Sequence, residues 1–322
     1  MRDRWTIAAS LCVLAGLSGC ATATPAESPP APAPEVETTS VSAMFADPFA
    51  STYSPFPSQP TVIRGATILT GTGERIEDGV VVLQDGKIAS VGAETAVPMD
   101  ARFVDGAGKY LTPGIIDTHS HLGVYPSPGI ESQADGNEIT APNTAQVWAE
   151  HSIWPHDPGL ATAIAGGITS LQILPGSANL FGGRGVTLKN VPSRTYQGMK
   201  FPGAPHALKM ACGENPKRAY GTQGRTPGSA MANVAGYRAD WARAQEYQRQ
   251  WRKWKQDGSE PEARPTRNLQ LETLVGVLEG EIRVHNHCYR ADEMATMIDI
   301  AEEFGYSIAS FHHAVEDYKV RD

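Results

Sequence analysis

The segment Tyr110–His121, YLTPGIIDTHSH, decides how the rest of the chain is read. A short apolar run ends in two histidines spaced i, i+2. Side chains two apart on a strand share a face. His119 and His121 are therefore expected to aim at one point, with Asp117 on the same side one step behind. Two neutral imidazoles converging from a rigid strand end are a natural start for a metal site. The Pro113-Gly114 pair fits a turn that delivers the chain into the strand.

Upstream, residues 61–121 read TVIRGATILTGTGERIEDGVVVLQDGKIASVGAETAVPMDARFVDGAGKYLTPGIIDTHSH. Short β-branched runs are broken by Gly and Asp-Gly turns and lead straight into the histidine strand. This ordered whole resembles the amidohydrolase superfamily, in the branch that includes imidazolonepropionase-like and prolidase-like enzymes. The resemblance covers residues 61–322. It implies an α/β fold: a (β/α)8 TIM barrel beside a small β-sandwich, housing a metal-dependent hydrolase. Residues 61–112 would supply the N-terminal part of the sandwich, with strands at Thr61–Ile68, Val80–Gln84, Lys87–Val91 and Arg102–Asp105. Residues 113–322 would supply only about six of the barrel's βα units, because a full barrel takes roughly 250 residues. The chain thus resembles a C-terminally incomplete member.

Residues 1–20 have the marks of an export signal. Arg2 and Arg4 precede an apolar stretch from Trp5 to Leu17, followed by Leu-Ser-Gly-Cys at 17–20. A charged start, a short apolar middle and small residues before a cut site describe a secretory signal. The stretch is too short to span a bilayer. Cys20 after Leu-Ser-Gly resembles the bacterial lipobox, whose cysteine is acylated. That places the protein in the cell envelope on the periplasmic side, lipid-anchored to the membrane, and Ala21 suggests the outer membrane. Residues 21–60, with APAPE and SPFPSQP, have the composition of an extended, disordered tether. Cys212 and Cys288 are expected as free, buried thiols. The net charge of −8 argues against nucleic acid as a partner.

Barrel strands are expected at 114–119, Ile168–Leu174, Val186–Asn190, His206–Ala211, the run ending EIRVHNHC at 281–288, and Tyr306–His313. Helical patterns fall at 158–166, 230–255, 269–279 and 291–304, the last ending on Gly305. The loop PGSANLFGGRG at 175–185 would lie on the catalytic face, and it lacks the Gly-Lys-Ser/Thr of a P-loop. Residues 213–268 read as an insertion. On its helix Trp241, Ala244, Gln248, Trp251 and Lys255 recur at helical spacing, which suits tryptophans packed on the barrel.

Lys209 sits mid-strand among apolar neighbours, where lysine is rare without a partner. Burial favours its neutral amine. The resemblance implies a carboxylated lysine on this strand, bridging two metals. Lys189 is the competing lysine, and a solvent-reaching Lys209 paired with Glu214 the alternative. His285 and His287 share a strand face, so parity does not choose between them. The relatives' His-Ala-Tyr-Thr pattern matches His287-Cys-Tyr-Arg, which makes His287 the ligand and His285 a deeper orienting group. His312 and His313 should face opposite ways, so only one is expected in the barrel mouth. The relatives' His-Ala-x-Glu-x-Tyr matches His313 onward. His151, His156 and His206 read as surface or loop residues, with His151 and His156 as weak substrate-side candidates.

The implied metal ligands are thus His119, His121, Lys209, His287 and His313, with Asp117 and His285 orienting them. They would hold two divalent ions, zinc by donor type. Such a pair polarises a carbonyl and acidifies water to give hydroxide. That suits hydrolysis of a C–N bond in a small-molecule substrate: a dipeptide, an N-acyl amino acid or a cyclic amide. The superfamily's acid/base aspartate on the eighth strand has no counterpart here, since Asp317 follows the sixth. A second reading is therefore a truncated, non-catalytic envelope lipoprotein that keeps a partial metal site. Self-association is compatible with either.

Overall fold

The structure is a computed structural model and describes residues 40–321. The proposed signal and Cys20 lie outside the described residues. Among the described residues no helix is long and apolar enough to cross a membrane.

The first layer is a five-stranded sheet. Its strands are β1 (Thr61–Leu69), β2 (Arg75–Gln84), β3 (Lys87–Gly92), β4 (Arg102–Asp105) and β5 (Tyr110–Leu111). β1–β3 form an antiparallel meander, while β4 and β5 both pair in parallel with β1. Asp85 and Gly86 alone join β2 to β3, with φ of 54° and 72°. Two residues with positive φ match the twist of a tight hairpin, which is why Asp-Gly serves there. A small core of Ala66, Ile68 and Val81 lies beneath.

The second sheet has six strands in sequence order: β6 (Ile115–Ser120), β7 (Ile168–Ile173), β8 (Phe181–Lys189), β9 (Ala207–Ala211), β10 (Arg283–Cys288) and β11 (Ile308–His313). It is a partial, unclosed TIM-barrel wall with the first sheet as an accessory layer. All neighbours are parallel except β8, which runs antiparallel to both β7 and β9. This corrects the expected third strand. Parallel neighbours need a crossover of a dozen or more residues. Only Ile173 to Phe181 is available, so the chain must turn back. Half of the expected glycine-rich loop, Phe181–Gly185, is therefore strand.

Among the described residues five α-helices accompany the sheet: α1 (Pro158–Ala165), α2 (Glu214–Gly221), α3 (Ala230–Gln256), α4 (Leu269–Leu278) and α5 (Ala291–Phe304). Asp157 caps α1 by accepting from the Gly159 N–H, with Pro158 at the first helical position. Ser229 caps α3 through the Ala232 N–H. The insertion is integral to the core. Trp241 and Trp251 of α3 are fully buried, in one cluster with Leu208 and Met210 of β9, Leu274 of α4 and Met297 of α5. Burying each such side chain contributes about 2–3 kcal/mol.

Part of the expected tether is packed. The Glu279 carboxylate, after α4, accepts from the N–H groups of Val41 and Ser42 and from the Ser40 and Ser42 hydroxyls at 2.7–3.2 Å. Phe45 sets its ring edge against Trp251 at 5.1 Å. Asp47 pairs with buried Lys200 at 2.5 Å and with His206 at 3.2 Å. Several donors on one carboxylate and an apolar anchor overcome a composition that disfavours folding. Cys212 and Cys288 form a disulfide with Cα atoms 5.2 Å apart, in place of the expected free thiols. They stand at the adjoining ends of β9 and β10, which brings their Cβ atoms within bridging reach.

Candidate metal centre

The polar cluster forms where β6, β9, β10 and β11 converge. Parallel strands in register put equivalent positions side by side. His285 is level with Lys209, and His287 with His312. Alternation then turns Lys209, His285 and His287 to one face, while Leu208 and Val284 enter the outer core.

His119 and His121 point their Nε2 atoms at each other, 3.2 Å apart. Two nitrogens bound at 2.0–2.1 Å to one tetrahedral ion lie about 3.3 Å apart, so this spacing fits a shared ligand. His121 Nδ1 donates to the Leu174 carbonyl at 2.8 Å. That bond sets the tautomer and leaves Nε2 as an electron-pair donor. Asp117 accepts from the His119 backbone N–H at 3.1 Å and so steadies the strand end, not an imidazole. Lys209 is completely buried and places Nζ 3.4 Å from His119 Nε2. The solvent-reaching, Glu214-paired alternative is thereby excluded. Lys189 stands elsewhere, its ammonium over the rings of Tyr53 and Phe201 at 4.9 and 4.3 Å.

The other histidines complete a ring of imidazoles. His312 lies 4.5 Å from His119 between ring centres, and its Nε2 meets His285 Nδ1 at 2.8 Å. His313 lies 5.1 Å from His119 and 4.5 Å from His287. Both strand-end histidines thus enter the cluster, against the expectation that only one could. The cause is local: His313 has φ of 65°, which breaks the strand's alternation. His287 Nε2 meets the Asn215 amide nitrogen at 3.1 Å, and its buried Nδ1 has no partner among the described residues. Asn215 was not anticipated. It joins the cluster only because α2 starts directly above β9, a tertiary placement without a local signal.

Burial governs the electrostatics. It lowers Lys209 to about 7, which populates the neutral amine at neutral pH. Burial first, then the Lys209 charge, lowers His119 to about 3 and His285 to about 4. Burial and neighbouring imidazoles lower His287 and His312 to about 3. The imidazoles are therefore neutral, as metal donors must be. Among the described residues no three His, Cys, Asp or Glu side chains close on one ion position by themselves. The third nitrogen at the His119–His121 pair belongs to Lys209.

Of the remaining histidines, His151 stacks on Trp148 with ring centres 5.7 Å apart, outside the cluster. His206 sits in the loop before β9, largely enclosed and bonded to Asp47.

No protein-family model matches the chain. It is 34% identical over 295 residues to the amidohydrolase tasK of Hapsidospora irregularis, a match covering 81% of this chain and 30% of the relative. Over 55 residues, 16% of this chain and 13% of the relative, it is 49% identical to an imidazolonepropionase of Ralstonia nicotianae. The crystal structure of an amidohydrolase from Thermotoga maritima superposes with a TM-score of 0.76 at 36% identity, covering 81% of this chain and 66% of that one. The chain thus spans under a third of the Hapsidospora relative and just under two thirds of the solved structure. Both likenesses carry the same family description over four fifths of the chain, and the fold agrees with them: the chain belongs to the amidohydrolase superfamily.

Proposed function

We propose that this chain carries the metal-binding part of a hydrolase that cleaves C–N bonds in small amide or peptide-like substrates. One observation carries the proposal: His119 Nε2, His121 Nε2 and Lys209 Nζ converge within 3.4 Å of their neighbours at a buried strand-end cluster. Divalent ions, zinc by donor type, would polarise a substrate carbonyl and lower the pKa of a water there. The chain's own residues prepare for this. His121 is held by the Leu174 carbonyl with Nε2 free. Lys209, neutral through burial, is competent to add carbon dioxide and supply carboxylate oxygens in place of its nitrogen. His287 and His313, with His285 and His312 behind them, offer donors for a second ion. The substrate candidates stay those named above: a dipeptide, an N-acyl amino acid or a cyclic amide.

The test is metal analysis of the purified chain with labelled bicarbonate. The expected result is about two zinc-like ions per chain and a carbamate carbon resonance. Lys209→Ala should abolish the resonance and drop metal content toward one or none. Unchanged metal content in that variant would remove the lysine from the site. A wild-type chain that takes up no metal would overturn the metal-centre reading.

We also propose export with lipidation at Cys20. The Leu-Ser-Gly-Cys segment supports it, and so does the Cys212–Cys288 disulfide, a bond that persists in oxidising compartments. In a Gram-negative host the protein should label with palmitate and partition with membranes. Equal labelling of Cys20→Ala would refute this.

A further inference from the structure

A second polar site lies on the other face of the barrel wall. In the register of β8 and β9, Gly183 is level with Lys209 and Arg184 with Leu208. Alternation therefore sends Arg184 outward, away from the histidine cluster. Arg184 is 7% exposed. Its guanidinium makes one hydrogen bond among the described residues, from Nε to the Thr273 hydroxyl at 2.8 Å. Its flat face covers the Trp148 ring at 4.3 Å. A buried guanidinium normally sits on a carboxylate, because an unpaired buried charge is costly.

The nearby acids are committed elsewhere. Glu272 is held by both Nε and Nη2 of Arg267 at 2.7 Å. Glu150 and Asp47 share Lys200, at 2.7 and 2.5 Å. Among the described residues none of the three forms an ion pair with Arg184. Beside Arg184 lies a cavity of about 340 Å³, walled by Trp148, Phe45 and Phe49, with the Arg267–Glu272 pair also on its lining. Leu269, which is 58% exposed, also lines it. The volume is at the lower end of small-molecule sites. With Glu272 already neutralised by Arg267, the aromatic walls and the free Nη donors of Arg184 define the chemistry of an occupant: a flat apolar body with one anionic, planar oxygen pair. A guanidinium edge matches a carboxylate in a two-bond fork.

We propose that this cavity binds a small aromatic carboxylate, its carboxylate on the free edge of Arg184 and its ring among Trp148, Phe45 and Phe49. The site is separate from the metal centre and does not depend on the hydrolase reading. The approach to Arg184 is shaped by the Phe45–Phe49 segment, so the ligand would also hold that segment in place.

The test is calorimetric titration of the full chain with benzoate and with benzamide, its neutral isostere. Benzoate should bind saturably, one per chain, and at least tenfold more tightly than benzamide. Leu269→Trp should fill part of the cavity and cost at least tenfold in benzoate affinity while leaving the circular dichroism spectrum unchanged. Arg184→Met should do the same where it folds, and Leu269→Trp decides if it does not. Equal binding of benzoate and benzamide would overturn the proposal, as would no saturable binding. So would wild-type benzoate affinity in Leu269→Trp, which would place the anion at the metal centre or elsewhere.

Discussion

At the residue scale, burial does most of the chemical work. Lys209 is a surface-type side chain placed in the interior, and that placement alone lowers its pKa to about 7. The same burial keeps the surrounding imidazoles neutral. Gly183, level with Lys209, shows how tightly this wall is built. Its φ is +112°, and an added Cβ would lie 2.5 Å from the Val147 carbonyl oxygen. Both the backbone conformation and the contact oppose any side chain. Gly183→Ala should therefore cost at least about 2 kcal/mol, visible as a lower melting temperature. An unchanged melt would mean that the 143–148 segment gives way freely.

At the element scale, the segment from Ser40 to Asp47 depends on one carboxylate. Burial would raise the Glu279 pKa, but the hydrogen bonds from Ser42, Gln248 and Ser40 prevail and hold it at about 2. Arg252 adds a contact at 3.2 Å. A folded pKa below the unfolded value of 4.5 means stability present above pH 4.5 and lost as pH falls toward 2. Phe45 touches Trp251, so tryptophan fluorescence should report release of the segment in that window. Glu279→Gln should lose roughly 1.5–3 kcal/mol of docking at neutral pH. It should also lack the acid transition, and a variant titrating like wild type would rule Glu279 out as the anchor.

For the whole molecule, the open architecture carries a consequence. Among the described residues β6 and β11 each have one strand neighbour. On β6, Ile115 and Ile116 are 53% and 65% exposed, and on the accessory sheet Ile88 is 66% exposed. Barrels remove such edges by closure, and open apolar edges invite pairing with other chains. The 322-residue chain should therefore associate with rising concentration in sedimentation velocity. A single monomeric boundary across a micromolar range would show that the edges are protected.

Much of this was legible from local pattern. Period-2 runs and glycine turns placed β1, β3, β4, β6, β7 and β9–β11 within a few residues, and helical spacing placed α1, α3, α4 and α5 but not α2, whose stretch read as a loop. The His119–His121 convergence follows from strand alternation alone, and Lys209 stood out as a charge in an apolar run. Other features required the tertiary structure. The reversal of β8 was set by the short span available for a crossover, and the entry of both His312 and His313 by one positive φ. The Cys212–Cys288 bond, Asn215 beside His287 and the enclosed Arg184 arise where segments 72 to 89 residues apart meet. Spacing along a chain determines which side chains share a face. Which faces meet is decided by packing of the whole, because long-range contacts leave no periodic trace in the residues that make them.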